Sequence, residues 1–201
     1  MIAIIDYGAG NLQSVEKALR HIGCACQVTG DPRELAKARS AVLPGVGAFG
    51  EAMAGLRARG LEEPIKDFIA SGRPFLGICL GLQALFQSSQ ESPGVQGLGV
   101  LPGRILRLPA DAGLKIPHIG WNSLEIIRPG KMLAGLGPEP YFYFVHSYYL
   151  QAEGDVVTAA ARYGAVIHAA VERENLWACQ FHPEKSGEAG LRILRNFAAQ
   201  S

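Results

Sequence analysis

Charge imbalance is what this chain of 201 residues most lacks: 19 basic and 18 acidic side chains leave a formal net charge of +1. No run of Lys or Arg appears. Binding to nucleic acid or to an anionic membrane needs a concentrated basic surface, so neither class of partner is indicated. Long apolar runs are missing too. The opening MIAIIDYGAG is apolar for only five residues before Asp6, too short for a membrane span or a signal-peptide core. Cysteine is scarce, at positions 24, 26, 79 and 179. Four thiols do not make a disulfide framework in a domain of this size. No C-x-x-C pair is present, which argues against a zinc site. Linkers, repeats and low-complexity stretches are absent, so residues 1–201 read as one domain. The expectation is a reduced, cytoplasmic protein, 48% hydrophobic and long enough to bury a proper core.

Within that frame one stretch organises the rest, residues 73–83, RPFLGICLGLQ. A short apolar run ends in Cys79, which stands between Gly77 and Gly81 and is followed by a helix-like pattern of Leu82, Leu85 and Phe86. Strand, sharp turn and helix with the spacing Gly-x-nucleophile-x-Gly make a nucleophile elbow. The turn lifts its central side chain off the strand and points it at the first amides of a helix, which favour thiolate over thiol. The spacing alone leaves another reading open, that Cys79 is a small buried hydrophobe, as most free cysteines are.

The remainder of the chain supplies the context. Residues 1–5 predict a buried strand, 7–11 a loop, and Val15, Leu19 and Ile22 an amphipathic helix ending at Gly23. Strands at 25–29 and 41–43 alternate with a short helix begun by Asp31-Pro32, then with helices over 51–59 and 62–70. Strand alternating with helix implies an α/β fold with a doubly wound, mostly parallel sheet and helices on both faces. Gly8-x-Gly10 invites a nucleotide reading, but Gln13 stands where the third glycine of that fingerprint belongs. A tight turn with Asn11 capping the helix is the better account. Beyond residue 90, strands at 98–108, 116–127, 141–151, 156–163, 165–171 and 176–181 predict an antiparallel extension, before a last helix over 187–199.

The strand at 177–181 ends in His182-Pro183-Glu184-Lys185. Residues two apart on extended chain point to the same side, and Pro183 stiffens the segment. An imidazole and a carboxylate are thus held together at a strand end, where active sites of open α/β sheets lie. That is the base and orienter of a nucleophilic triad, with Glu184 fixing the tautomer of His182 and His182 taking the proton of Cys79. By itself His182 could equally be a strand-end histidine bonded to a loop. His21 is expected on a solvent-facing helix surface, His168 in a strand with no acid nearby, and His118 and His146 are expected to be structural. Acyl transfer also needs amides aimed at the oxyanion. Leu80 supplies one from the helix start, and the Val46 peptide in Pro44-Gly45-Val46-Gly47 supplies the other or is only a tight turn. Glycines on both sides of Val46 let that peptide flip.

Taken together, G-I-C-L-G-L-Q at 77–83 and H-P-E-K at 182–185 resemble the class I, triad glutamine amidotransferases. P-G-V-G at 44–47, D-Y-G-x-G-N at 6–11 and H-x-G-W-N at 118–122 narrow the resemblance to glutaminase subunits of imidazole glycerol phosphate synthases, and it runs over residues 2–197. The resemblance implies that Cys79 attacks the side-chain amide of L-glutamine, that His182 protonates departing ammonia, and that water hydrolyses the thioester. It implies substrate contacts from Gln83, which lies one helical turn beyond Cys79 on the same face, from Glu91 toward the substrate's α-ammonium, and from the backbone of Gly47, Ser147 and Tyr148. It implies no cofactor. The implied partner is a (β/α)₈-barrel synthase subunit, forming a heterodimer whose docking face includes Asn11, Trp121, Tyr143 and Lys185. The barrel would use the ammonia to make imidazole glycerol phosphate and an aminoimidazole carboxamide ribotide in histidine biosynthesis. A pyridoxal phosphate or anthranilate-type glutaminase is the nearest alternative, and the Pro-Gly-Val-Gly loop argues against both. A non-catalytic binding module on the same scaffold is the other, and the intact Cys79, His182 and Glu184 argue against it.

Overall fold

In a computed structural model that describes residues 1–110 and 113–200, the chain begins β1 (Ile2–Ile5), α1 (Leu12–His21), β2 (Cys26–Thr29), α2 (Pro32–Lys37), β3 (Ser40–Leu43), α3 (Phe49–Ala58), α4 (Glu62–Ala70), β4 (Phe75–Ile78) and α5 (Leu80–Ala84). It continues β5 (Ser88–Ser89), β6 (Gly103–Arg107), β7 (His118–Ser123), β8 (Glu125–Ile126), β9 (Tyr141–His146), β10 (Tyr148–Ala152), β11 (Val157–Arg162), β12 (Val166–Arg173) and β13 (Leu176–Cys179). A 3₁₀ turn (Pro183–Lys185) and α6 (Gly187–Ala198) complete it.

The central sheet has the order β2-β1-β3-β4-β13-β12-β11-β8. The five strands from β2 to β13 are parallel, and β12, β11 and β8 add on antiparallel. Strands β1, β3, β4 and β13 are buried at every position, the mark of strands covered on both faces. Their side chains divide accordingly. Ala3 and Ile5 join one core with Phe49, Leu56, Ile65 and Phe68. Ile2 and Ile4 join the other with Leu19, Ile193 and Phe197. The mostly parallel sheet with an antiparallel extension and helices on both faces is thus the one the residue pattern implied.

Two details differ. Only β12, β11 and β8 extend the sheet; β10-β6-β5 form a separate small sheet, and β7 and β9 a two-stranded ribbon. Ribbon and sheet stay apart because the backbone of Tyr143 on β9 is already engaged. Its N–H donates to Ser186 Oγ at 3.0 Å and its carbonyl accepts from His182 N–H at 3.0 Å. Asn11 does occupy the position before α1, but its side chain makes no capping hydrogen bond. Asp31, by contrast, caps α2 as expected, accepting from Arg33 N–H at 2.8 Å.

No helix among the described residues is long and apolar enough to cross a membrane.

Candidate active site

Strands β3, β4 and β13 are consecutive and parallel, so the loops leaving their carboxyl ends emerge side by side. Register then sets the site. Ile78 pairs with Cys179, and the Cys79 N–H donates to the Cys179 carbonyl at 2.7 Å. Cys79 is therefore fastened to the strand that leads, three residues later, to His182. Distance along the chain does not matter once two parallel neighbours end together.

The elbow at Cys79 is strained as expected, with φ 54° and ψ −108° on a non-glycine residue, a conformation costing roughly 1–3 kcal/mol. What holds it is close packing. A Cβ on Gly81 would stand 1.8 Å from the Leu43 carbonyl oxygen, so only glycine lets α5 start directly against β3. The helix is just five residues long, and Gln83 within it is 4% exposed. A solvated helix position for Gln83 is thereby excluded.

His182 Nδ1 lies 2.8 Å from Glu184 Oε1, and both side chains are almost wholly buried. Its Nε2 is buried without a hydrogen-bond partner, and the Cys79 sulfur is near enough to act on the ring's affinity for a proton. Burial alone would lower the imidazole's affinity for a proton. Interaction with the Cys79 sulfur and the Glu184 carboxylate outweighs it and raises the pKa to about 10. A proton on this ring is thus favoured by the groups on either side of it. Ser186, which the sequence reading overlooked, fixes the segment by donating from Oγ to the His182 carbonyl at 2.6 Å while accepting from Tyr143 N–H.

A cleft of about 430 Å³ opens over the sulfur, within the size range of small-molecule sites. Val46, Gly47, Cys79, Leu80, Gln83, Glu91, Ser147, Tyr148 and Lys185 all line it, so nine residues named from sequence come together in one place. Glu91 spans the cleft edge, with Oε2 accepting from Phe49 N–H at the start of α3 at 2.7 Å. Asn11, Trp121 and Tyr143 lie outside the cleft. Trp121 is 57% exposed, stands edge-on to Tyr143 at 6.3 Å, and Lys185 Nζ sits 5.8 Å from the same tyrosine ring.

The Leu80 and Val46 amides, expected from the sequence to act as an oxyanion pair, do not point the same way in this structure. The Leu80 N–H donates to the Gly45 carbonyl at 3.4 Å. Because a trans peptide carries C=O and N–H on opposite sides, the Val46 N–H then points away from Leu80. A Cβ on Gly45 would lie 2.5 Å from Tyr7 Oη and 2.7 Å from Leu80 Cβ, so only a glycine lets the loop lie this close to α5 with its carbonyl inward. Gly47 next in line has φ +102°.

The remaining histidines are structural in their bonding, as expected. His118 Nδ1 and His146 Nε2 are 3.1 Å apart, and His146 Nδ1 donates to the Tyr148 carbonyl at 3.0 Å. That carbonyl can only accept, so His146 Nε2 is the acceptor and His118 Nδ1 the donor. Burial lowers His118 to about 4 and His146 to about 3. His168 Nδ1 accepts from Ala152 N–H at 2.9 Å, and His21 is exposed. No group of three or more metal-ligating side chains occurs among the described residues. Gln180 is the other residue missed: it is fully buried, and its Nε2 lies 3.6 Å from the Cys79 sulfur.

Residues 3–201 match the family described as glutamine amidotransferase class-I. A relative named imidazole glycerol phosphate synthase subunit HisH, from Methanothermobacter thermautotrophicus, is 57% identical over 98% of this chain and 97% of its own. Another of the same name from Syntrophotalea carbinolica is 53% identical over 98% of each chain. Among solved structures, the PurLQS structure from Thermotoga maritima superposes with a TM-score of 0.78 at 19% identity, covering 98% of this chain and 97% of that one. A crystal structure described only as a glutamine amidotransferase gives 0.77 at 21%, covering 99% and 97%. The likeness of fold and the identity over the full length agree with the cleft: the chain belongs to the class-I glutamine amidotransferase family.

Proposed function

We propose that this protein hydrolyses L-glutamine to glutamate and ammonia through a cysteine thioester, as the glutaminase subunit of an imidazole glycerol phosphate synthase. The observation that carries the reading is that Cys79 lines the cleft with the buried His182–Glu184 pair behind it. The thiolate of Cys79 attacks the side-chain amide carbon, and the carbon–nitrogen bond breaks as His182 delivers its proton to the leaving nitrogen, giving ammonia. Neutral His182 then takes a proton from water, whose oxygen attacks the thioester carbonyl; glutamate leaves and the sulfur is regenerated. Glu184 holds the imidazole and stabilises its charge throughout. The Gly45–Val46 peptide turns over to bring its N–H beside that of Leu80, completing the oxyanion pair. In the cleft, Gln83, Glu91, Gly47, Ser147 and Tyr148 hold the substrate.

The ammonia passes to a (β/α)₈-barrel synthase subunit docked on the face that carries Asn11, Trp121, Tyr143 and Lys185, and the whole chain works as one cytoplasmic domain in histidine biosynthesis. Exposed aromatic surface beside the cleft mouth supports this placement. The test is Cys79→Ala in complex with the barrel. Glutamine-dependent synthesis is lost, while synthesis from added ammonium salts is kept. Loss of both leaves Cys79 without a demonstrated role, and retention of glutamine turnover ends the reading.

A further inference from the structure

The polar network behind the nucleophile has a direction, and one backbone atom fixes it. The Tyr148 carbonyl can only accept, so Gln83 turns its NH₂ there, with Nε2 at 3.0 Å. The second hydrogen of that NH₂ lies toward Gln180 Oε1 at 3.1 Å, which is therefore the acceptor. Gln180 must then present its own NH₂ to Cys79, with Nε2 3.6 Å from Sγ. Reversing either amide would set like groups against each other. Gln180 is 0% and Gln83 4% exposed, and every other side chain from Leu176 to Phe181 is apolar or a buried thiol. An amide buried at such a place costs stability unless its bonds are used.

We propose that Gln180 is a catalytic residue that holds the nucleophile as thiolate, donating a hydrogen bond to the sulfur in an orientation locked by Gln83. The other groups around the sulfur leave that task to few candidates. His182 and Glu184 approach from the turn after β13. Cys179, on β13, and Tyr7, after β1, are both kept in their neutral forms, by burial first and by the nearby sulfur second or later. The Val145 carbonyl on β9 is 4.0 Å away and can only accept. His146, farther off, is neutral. The thiol can donate to Val145, whereas the thiolate needs donors, and Gln180 and His182 are placed to supply them. A hydrogen bond to a charged group favours the charged form by roughly 10- to 100-fold.

This inference rests on Cys79 being the nucleophile, and its test separates the two. Cys79 alkylation by iodoacetamide, resolved from Cys24, Cys26 and Cys179 by peptide mass spectrometry, is followed against pH in the full chain. Wild type, Gln180→Met, Gln180→Glu and Gln83→Leu are compared, with glutamate release measured in the barrel complex and the thermal midpoint as control. In Gln180→Met, alkylation at pH 7 slows by roughly 10-fold or more, and the gap to wild type narrows as the pH is raised. Gln180→Glu is slower still because a carboxylate meets the sulfur, and Gln83→Leu shows a smaller version. If one variant fails to fold, the other two carry the same pattern. Variants that lose glutamate release but keep the wild-type alkylation profile overturn the proposal, leaving Gln180 as packing. A wild-type chain with no glutamate release in the complex removes the functional reading beneath it.

Discussion

The two halves of the catalytic cleft are built differently. The sulfur and its base sit on the ends of neighbouring parallel strands, tied by the bond from Cys79 N–H to the Cys179 carbonyl and by the Ser186 clasp on His182. The proposed oxyanion donor, the Val46 N–H, sits on a glycine-flanked loop whose Gly45 carbonyl takes up the Leu80 N–H. One half is preassembled and the other is in the wrong rotation. Strand ends in a close-packed sheet have one arrangement, whereas glycines on both sides of Val46 leave its backbone freer to turn. On the proposed roles, nucleophile formation and transition-state stabilisation are therefore separable here.

Breaking the fixed half gives the largest effects. Glu184→Gln keeps the shape but presents an amide to His182 Nδ1, and glutamine turnover is expected to fall by roughly 10³–10⁴-fold, measured as glutamate release in the barrel complex. Gly81→Ala drives a methyl to 1.8 Å from the Leu43 carbonyl. It should lower the thermal midpoint by roughly 5–15 °C, or prevent folding, because backbone must move. The mobile half responds more gently. Gly47→Ala meets only Glu51 Oε2, at 3.8 Å, but its φ of +102° costs an alanine roughly 1–2 kcal/mol. A midpoint drop of about 2–8 °C follows, with a change in glutamate release larger than the stability loss explains.

The smallest effect belongs to the histidine pair beside the cleft. His118 and His146 titrate at about 4 and about 3 when folded, below the ordinary 6.5. The unfolded chain thus binds protons that the folded one refuses. Their contribution is complete above about pH 6.5 and is lost as pH falls toward 4 and 3. Thermal midpoints measured from pH 7 to 4 should decline, and less steeply in His118→Phe, which keeps the stacking on Tyr163 at 3.9 Å.

Much of the fixed half was legible in the sequence because its signals are local. The glycines around Cys79 announce a turn that only close packing permits, and Pro183 between an imidazole and a carboxylate announces their pairing. The alternation of strand and helix then dictates that both strand ends face the same edge. The loop was half legible: Gly45 and Gly47 show that the Val46 peptide can turn, but its resting side is set by contacts with Tyr7 and Leu80 from distant segments. Gln180 carried a signal that went unread, a polar side chain inside the apolar run 177–181, since such a group must find partners. The bonds of Tyr143 to Ser186 and His182, beside the split between ribbon and sheet, are long-range ones that no spacing encodes.

The central claim is that the chain alone holds a ready nucleophile and an unready oxyanion site. It is tested by following iodoacetamide alkylation of Cys79 and glutamate release from L-glutamine side by side, with and without the barrel synthase and its ligand. The account predicts that alkylation is fast in the isolated chain and changes little on docking, while glutamate release rises by roughly 10²-fold or more, the size expected for gaining one oxyanion donor. Full glutamate release from the isolated chain, or a Cys79 that alkylates only after docking, would contradict it.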